Sequence, residues 1–360
     1  MKRIVFTVSN DLNFDQRMIK ICTSLSNAGF DVLIIGFKKK NSIPLGKSIY
    51  QKERIPTLFQ KGKMFYLEIS VRLFFKLLFV RTDIISAVDT DTLLPSYIVA
   101  KFRSKKLVFD AHEYFSETSG LVGRSFEKKI WQWLENSLIP RVKNAYTVNE
   151  SLAVIFKNKF NINFRVVLNT PELMELNKSD KASEHFYIYQ GVLNKGRGLE
   201  ELLQVFGQNN LELRIAGEGP LKKFLKKEIE IKGLGKRIKL LGNLKPEELR
   251  DLTKCAFAGF NLIEGKGKSY YYSLANKFFD YIHAEIPQIG MNFPEYKKIN
   301  ERFKVSILID SFNEINHAIE QLESDQSLCK TMKENTLRAK KVYNWSNEER
   351  KLSEIYLSLN

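Results

Sequence analysis

Short runs of β-branched and aromatic residues alternate with longer stretches of helical period along almost the whole chain. In the first half the runs Arg3–Ser9, Val32–Phe37, Asp83–Ala87, Lys106–Asp110, Ala145–Asn149 and Val166–Leu168 predict strands. In the second half Phe186–Gln190, Glu212–Ala216, Ile238–Leu241, Ala256–Leu262, Pro287–Gly290 and Ser306–Ile309 do the same. These runs are apolar on both faces, which is the pattern of parallel strands covered by helices on each side. An α/β protein of two similar halves is therefore expected. Between the halves Asn169-Thr170-Pro171 breaks the pattern and the polar stretch NKSDKASEH precedes a fresh strand, so the hinge is expected within Asn169–Ser183. That gives domains over 1–170 and 171–340. A final helical stretch from about Arg338 to Asn360 carries Trp345, Ile355, Tyr356 and Leu359, apolar surface that must be buried on one domain or the other.

One segment departs from ordinary amphipathic patterning. From Met64 to Val80 nearly every residue is apolar, and Glu68, Arg72 and Lys76 fall four apart as one narrow polar stripe. The run is short for the ~20 residues of a membrane span, and Arg or Lys at its centre costs about 2.5–3.5 kcal/mol each. Two readings stay open: a helix buried against the sheet, or an interfacial helix resting on a membrane. Arg81 and Lys38–Lys40 lie nearby in sequence and add to a basic face.

Composition narrows the class. The chain has 360 residues, 44% hydrophobic and 27% charged, which excludes wholesale disorder and fibrous repeats. Cys22, Cys255 and Cys329 are far apart and odd in number, which argues against a disulfide scaffold and a structural zinc site. After Arg3–Ser9 the polar residues Asn10 and Asp11 interrupt the apolar run, unlike a secretory signal, so a cytoplasmic location is expected. With 57 Lys+Arg against 41 Asp+Glu the formal charge is +16, compatible with nucleic acid, an anionic membrane surface or a polyanionic small ligand. No zinc-finger, RNP or basic-zipper pattern supports nucleic acid.

The candidate chemistry concentrates in the second half. FYIYQGVLNKGRGLEELLQVF reads as strand, glycine-rich loop and helix, with Gly191, Gly196 and Gly198 permitting close backbone approach and Lys195 and Arg197 beside them. A loop of this kind at the carboxyl end of a parallel strand suits a phosphate, and the guanidinium fork of Arg197 matches two phosphate oxygens. A tight turn with solvated cations is the plainer alternative. LRIAGEGPLKKFL adds a turn at Gly217 and Gly219 that many α/β units need for steric reasons alone. GKGKSYYYSLANKFFDYIHAEIPQIG then places Tyr272 and Ser273 before a helix presenting Asn276, Lys277 and Asp280.

In the first half His112 and Glu113 follow an apolar strand, where ligands sit in open α/β sheets, with a hydrogen-bonded structural histidine as the plainer alternative. Asp15 and Arg17 open a helix, where Asp serves equally as a cap. Asp89-Thr90-Asp91 matches an Asp-x-Asp metal motif by spacing only. Trp131 and Trp133 lie on different sides of a helix, and His185, His283 and His317 are scattered as structural residues are.

These segments together resemble the retaining nucleotide-sugar glycosyltransferases of the GT-B fold, family 4 (glycosyltransferase group 1). YQGVLNKGRGLEEL is similar to the family's glycine and lysine–glycine loop, LRIAGEGP to its second strand and turn, IKLLGNLKPEELRDL to its next strand and helix, and SLANKFFDYIHAEIPQI to its acidic helix. LVFDAHEYFSE resembles its Asp-Ala-His-Glu segment, YTVNESLA and VVLNTPEL the end of its N-terminal domain, and YNWSNEERKLSEIY its terminal helix.

The resemblance implies two Rossmann-like domains facing each other across a cleft, an acceptor-binding one at 1–170 and a donor-binding one at 171–340, with helix 341–360 crossing back to the first. It implies a nucleotide-sugar donor held by Gly191, Lys195, Arg197, Gly217, Gly219, Tyr272, Ser273, Asn276, Lys277 and Asp280. Arg197 takes the place of the family's diphosphate-binding lysine. Asp280 matches the second of its paired acids, the one that holds the ribose hydroxyls. His112 is expected to hydrogen-bond the transferred sugar, with Glu113 or Glu117 orienting it, and Asp15, Arg17 and Glu113 to meet a glycan acceptor, lipid-linked in surface polysaccharide synthesis. Neither a cofactor nor a metal is expected. The chain departs from the pattern where the first paired acid is Tyr272, the arginine after the glycine is Val192, and Ser9-Asn10-Asp11 replaces a glycine pair. Lys195, Lys268 or Lys277 are the candidates to replace the missing cation. A non-catalytic nucleotide-sugar-binding protein and a nucleotide-sugar epimerase are the alternatives on the same fold.

Overall fold

The strands alternate with helices from the first residues onward, and a computed structural model describes residues 1–13, 15–121, 123–173 and 185–359 of the chain. The polar stretch of the expected hinge, 177–184, lies outside the described residues. Two compact units are formed, one from 1–169, 267–269 and 348–360, the other from 170–266 and 270–347.

The first unit is built on β1 (Arg3–Thr7), α1 (Gln16–Asn27), β2 (Asp31–Lys38), β3 (Gln51–Pro56), α2 (Gly62–Phe79), β4 (Ile84–Val88), α3 (Thr90–Phe102), β5 (Lys106–Ala111), α4 (Ser125–Leu138), β6 (Asn144–Thr147), α5 (Glu150–Phe160) and β7 (Arg165–Val166). Its seven described strands run parallel in the order β3-β2-β1-β4-β5-β6-β7. The order reverses between β1 and β4, which leaves the carboxyl ends of β1, β4 and β5 beside one another, the place where open α/β sheets bind ligands.

The second unit contains β8 (Phe186–Gln190), α6 (Leu199–Gln208), β9 (Glu212–Ala216), α7 (Lys222–Ile231), β10 (Ile238–Gly242), α8 (Pro246–Cys255), β11 (Ala258–Asn261), α9 (Lys268–Tyr271), α10 (Asn276–His283), β12 (Gln288–Met291), α11 (Pro294–Phe303), β13 (Ser306–Ile309), α12 (Ile315–Ser324) and α13 (Gln326–Val342), followed by α14 (Trp345–Leu357). Its six described strands are parallel in the order β10-β9-β8-β11-β12-β13.

Buried apolar residues of the central strands fill both cores, as Ile4, Val5 and Phe6 of β1 and Tyr187, Ile188 and Tyr189 of β8 illustrate. β3 is the strand that the pattern does not reveal. Its sequence QKERIP has no apolar run, because it is an edge strand paired through backbone to β2, with its side chains mostly half-buried. The last residues pack in the first unit, where the Tyr356 ring lies 5.9 Å from Phe6 and its hydroxyl 2.7 Å from Ser86 Oγ.

α2 combines the two readings left open above. Phe65, Ile69, Leu73 and Leu77 are buried in the core with β2 and α3 residues, but Leu67, Val71, Phe75 and Phe79, spaced four apart on the opposite side, are exposed. Among the described residues no helix is long and apolar enough to cross a membrane.

Candidate functional site

In the second unit the loop after β8 and the loop after β9 press together. The Gly191 N–H donates to Ala216 O at 3.0 Å and Leu193 N–H to Glu218 O at 2.9 Å. Gly217 has φ +149°, and a Cβ on it would fall 1.9 Å from the Gly191 carbonyl oxygen, so only glycine lets the two backbones meet. Gly219 is crowded in the same way by the Leu193 backbone. Gly217 and Gly219 thus shape the loop rather than present side-chain chemistry.

Against this loop stands the first turn of α10. Lys277 is 7% exposed, its Nζ lies 3.8 Å from the centre of the Tyr189 ring and 3.7 Å from where a Cβ on Gly191 would sit. Nζ has no hydrogen-bond partner among the described residues, and neither has the buried Nε of Arg197, whose guanidinium sits 5.2 Å from the Tyr270 ring. Burial, and then the neighbouring Arg197, push the Lys277 ammonium well below the ordinary lysine range, with Asp280 opposing them. Two buried cationic nitrogens without hydrogen-bond partners at a glycine loop and a helix amino end make an arrangement that suits a polyanion. Lys195 is exposed on the loop, and Asn276 on the first turn of α10.

Asp280 is held by a chain that the sequence does not announce. Thr253 Oγ1 donates to Gln190 Oε1 at 2.8 Å, and Gln190 Nε2 donates to Asp280 Oδ2 at 2.9 Å. Gln190 ends β8 and is buried, so a polar residue closing an apolar strand is the signal that would have found it. Ser273 donates to Tyr270 O at 2.8 Å, and Tyr272 packs edge-on against Tyr271. The tyrosine in the place of the family's first acid is a packed ring rather than a second carboxylate.

In the first unit the carboxyl ends of β4 and β5 gather a charged cluster. His112 Nε2 lies 2.9 Å from Asp110 Oδ2 and 3.0 Å from Arg17 Nε. The His112 backbone N–H donates to Asp89 Oδ1 at 2.9 Å, and Nδ1 is 3.6 Å from Asp89 Oδ2. One nitrogen cannot donate to Asp110 and accept from Arg17 together. Burial opposes the imidazolium, but Asp110 and Asp89 outweigh it and push His112 up to about 9. Burial likewise works against the Asp110 carboxylate, yet Arg17 and His112 hold it below its usual range. Nε2–H therefore donates to Asp110.

Arg17 is spent on Asp110 Oδ1 at 3.2 Å and the Val167 carbonyl at 3.1 Å. It is 5% exposed and lies against His112 Nε2, with its guanidinium bonded within the protein. Asp15 caps α1, accepting from the Met18 N–H at 3.0 Å and the Asn10 amide at 2.6 Å. Glu113 is raised above the usual carboxylate range by burial and lies next to the cluster, but the groups that fix His112 are Asp110 and Asp89 rather than Glu113 or Glu117. Glu117 pairs instead with Lys128 at 2.8 Å. Among the described residues no group of three or more His, Cys, Asp or Glu side chains is placed to hold a metal ion.

The comparisons with known proteins agree with this architecture. Residues 175–339 match the family model for glycosyl transferases group 1. No curated protein matches the chain. Among solved structures, the sucrose-phosphate synthase of Thermosynechococcus elongatus is similar with a TM-score of 0.81 at 14% identity, covering 100% of this chain and 99% of that one. Anabaena HepE, solved in complex with UDP and glucose, gives 0.77 at 13% identity, with 99% and 100% covered. WaaG, a glycosyltransferase involved in lipopolysaccharide biosynthesis, gives 0.74 at 12% identity, with 98% and 99% covered. At such identities the likeness to these structures is one of fold, the GT-B fold with its two Rossmann-like domains.

Proposed function

From a chain that carries a glycosyl transferases group 1 domain at 175–339 on a GT-B fold, we propose a retaining glycosyltransferase that moves a sugar from a nucleoside diphosphate to a hydroxyl of a glycan acceptor. The observation that carries this reading is the pair of buried nitrogens without a hydrogen-bond partner, Lys277 Nζ and Arg197 Nε, at the glycine loop after β8. When the bond from the anomeric carbon to the diphosphate oxygen breaks, negative charge grows on the leaving diphosphate. Cations already fixed there stabilise that charge without reorganising. Lys277 stands in for the arginine that Val192 replaces. Asp280, held by Gln190, takes the ribose hydroxyls, and His112 hydrogen-bonds the transferred sugar. The reaction in this reading needs no metal, since the cationic side chains do the neutralising.

The acceptor we propose is lipid-linked, in surface polysaccharide synthesis, and met at an anionic membrane. Two features support a lipid surface over a second protein: the exposed stripe Leu67, Val71, Phe75 and Phe79, and the cations Lys61 and Arg81 that flank it, Lys63, Arg72 and Lys76 being paired with Glu127, Glu68 and Glu53.

Calorimetric titration with UDP, the ligand in the HepE structure, followed by other nucleoside diphosphates, tests the donor reading. Arg197→Ala should weaken diphosphate binding by about tenfold to a hundredfold, in line with the roughly 1.5–3 kcal/mol of a charge-assisted hydrogen bond. Turnover should survive EDTA. Unchanged diphosphate affinity in Arg197→Ala overturns the cradle assignment. Binding without turnover of any sugar nucleotide would favour the non-catalytic alternative.

A further inference from the structure

Asp89 is the residue between β4 and α3, and nothing in the sequence pattern separates it from an ordinary helix cap. The structure does. Its backbone sits at φ 59°, ψ 167°, a region that side-chain-bearing residues rarely enter and that is close to glycine's own. An Asp at this position normally turns its carboxylate onto the helix's first N–H groups. Here the side chain makes no such bond. The backbone N–H continues the ladder to Asp110 O at 2.9 Å, and the strained turn aims the carboxylate at His112. Oδ1 accepts the His112 N–H at 2.9 Å, and Oδ2 faces Nδ1 at 3.6 Å.

The other ring nitrogen is already occupied, since Nε2 lies against Asp110 and Arg17. Nδ1 is the nitrogen left to meet a ligand, on a side chain that is 22% exposed. We propose that Asp89 is the positioning residue of His112, fixing the backbone that carries the ring and setting the direction and charge of Nδ1 as the atom offered to the transferred sugar. The role at the sugar rests on the transferase reading, whereas the coupling of Asp89 to the imidazole does not. The charged groups around the ring are Arg17 from α1, Asp110 from β5, Asp89 and Asp91 from the start of α3, and Glu113 next along the chain.

Three measurements on the full chain test this. NMR titration of the imidazole signals, with His112 assigned by its loss in His112→Gln, should show the His112 pKa falling by about one unit in Asp89→Asn. That variant keeps an acceptor for the His112 N–H and removes a carboxyl that burial pushes up to about 8, one that is ionised over the range in which His112, at about 9, titrates. Its kcat should fall about tenfold with donor KM little changed. Asp89→Gly relieves the backbone, so its melting temperature should hold or rise while kcat falls further than in Asp89→Asn. A merely structural Asp89 predicts the reverse, a less stable protein with His112 titrating as before. An unmoved His112 titration in Asp89→Asn, or full kcat in Asp89→Gly, overturns the proposal. Should the wild type prove inactive with every sugar nucleotide, the titration still decides whether Asp89 governs the ring.

Discussion

In the proposed donor cradle, Lys277 is the residue at which stability is set against binding. A buried ammonium without a hydrogen-bond partner raises the energy of the ligand-free fold, and replacing such a charge by an apolar side chain of similar length is often neutral or stabilising. Lys277→Met should therefore melt at the same temperature as the wild type or a few degrees higher, while diphosphate affinity drops at least tenfold. The pH dependence follows from the depressed pKa. Between the folded pKa and the ordinary lysine value of 10.5 the unfolded chain binds more protons, so wild-type stability gains as pH rises through that window. The advantage of Lys277→Met should accordingly shrink as pH climbs toward 10.5, read from urea midpoints at several pH values. A variant that melts well below the wild type would show Lys277 to be a structural cation instead. The Asn-Lys pair and Asp280 were legible as site candidates from their place after the tyrosine run. That the lysine is buried without a hydrogen-bond partner was not, because it depends on Tyr189 and Gly191, nearly ninety positions earlier in the chain.

At the scale of elements, α2 presents apolar side chains on two opposite faces, and sequence periodicity could not say which one the core takes. The core takes Phe65, Ile69, Leu73 and Leu77 because β2 and α3 cover that side. Of the polar stripe, Glu68 accepts from Leu58 N–H, Phe59 N–H and Arg72, and Lys76 pairs with Glu53 at 2.5 Å, so these charges tie the helix to the edge of the sheet. The exposed face is then the part available to lipid. Wild-type protein should float with vesicles containing anionic lipid and do so less at high salt. Phe75→Asp combined with Phe79→Asp should abolish flotation while leaving the melting temperature within a few degrees, since both side chains already face water. Equal flotation of the double variant would dismiss the lipid surface. β3 stayed hidden for the opposite reason: an edge strand is specified by its backbone ladder, and its mostly polar, half-buried side chains carry no apolar run.

For the whole molecule, the last residues join the first unit through contacts with the beginning of the chain. Tyr356 packs on Phe6, Phe30 and Tyr146 and shares a hydrogen bond with Ser86. Glu348 accepts from the Leu168 N–H at 2.9 Å. Removing a fully buried ring of this size typically costs about 3–5 kcal/mol. Tyr356→Ala should lower the urea midpoint correspondingly, and a midpoint equal to that of the wild type would show that the terminal helix adds nothing to the first unit's stability.

Local pattern carried the fold class and the site's loops. Doubly apolar strands separated by helical stretches require parallel sheets with helices on both faces, and the glycines after β8 and β9 mark where two backbones touch, both of which are short-range constraints written in residue type. Tertiary structure alone decided which polar groups are paired. Arg17, Asp89 and the Asp110–His112 pair come from three separate stretches of the first unit, and only their assembly makes Asp110 the partner of Nε2 and sets Asp89 beside Nδ1. Burial and partnership are properties of the space around a side chain, and that space is supplied by elements far away in sequence.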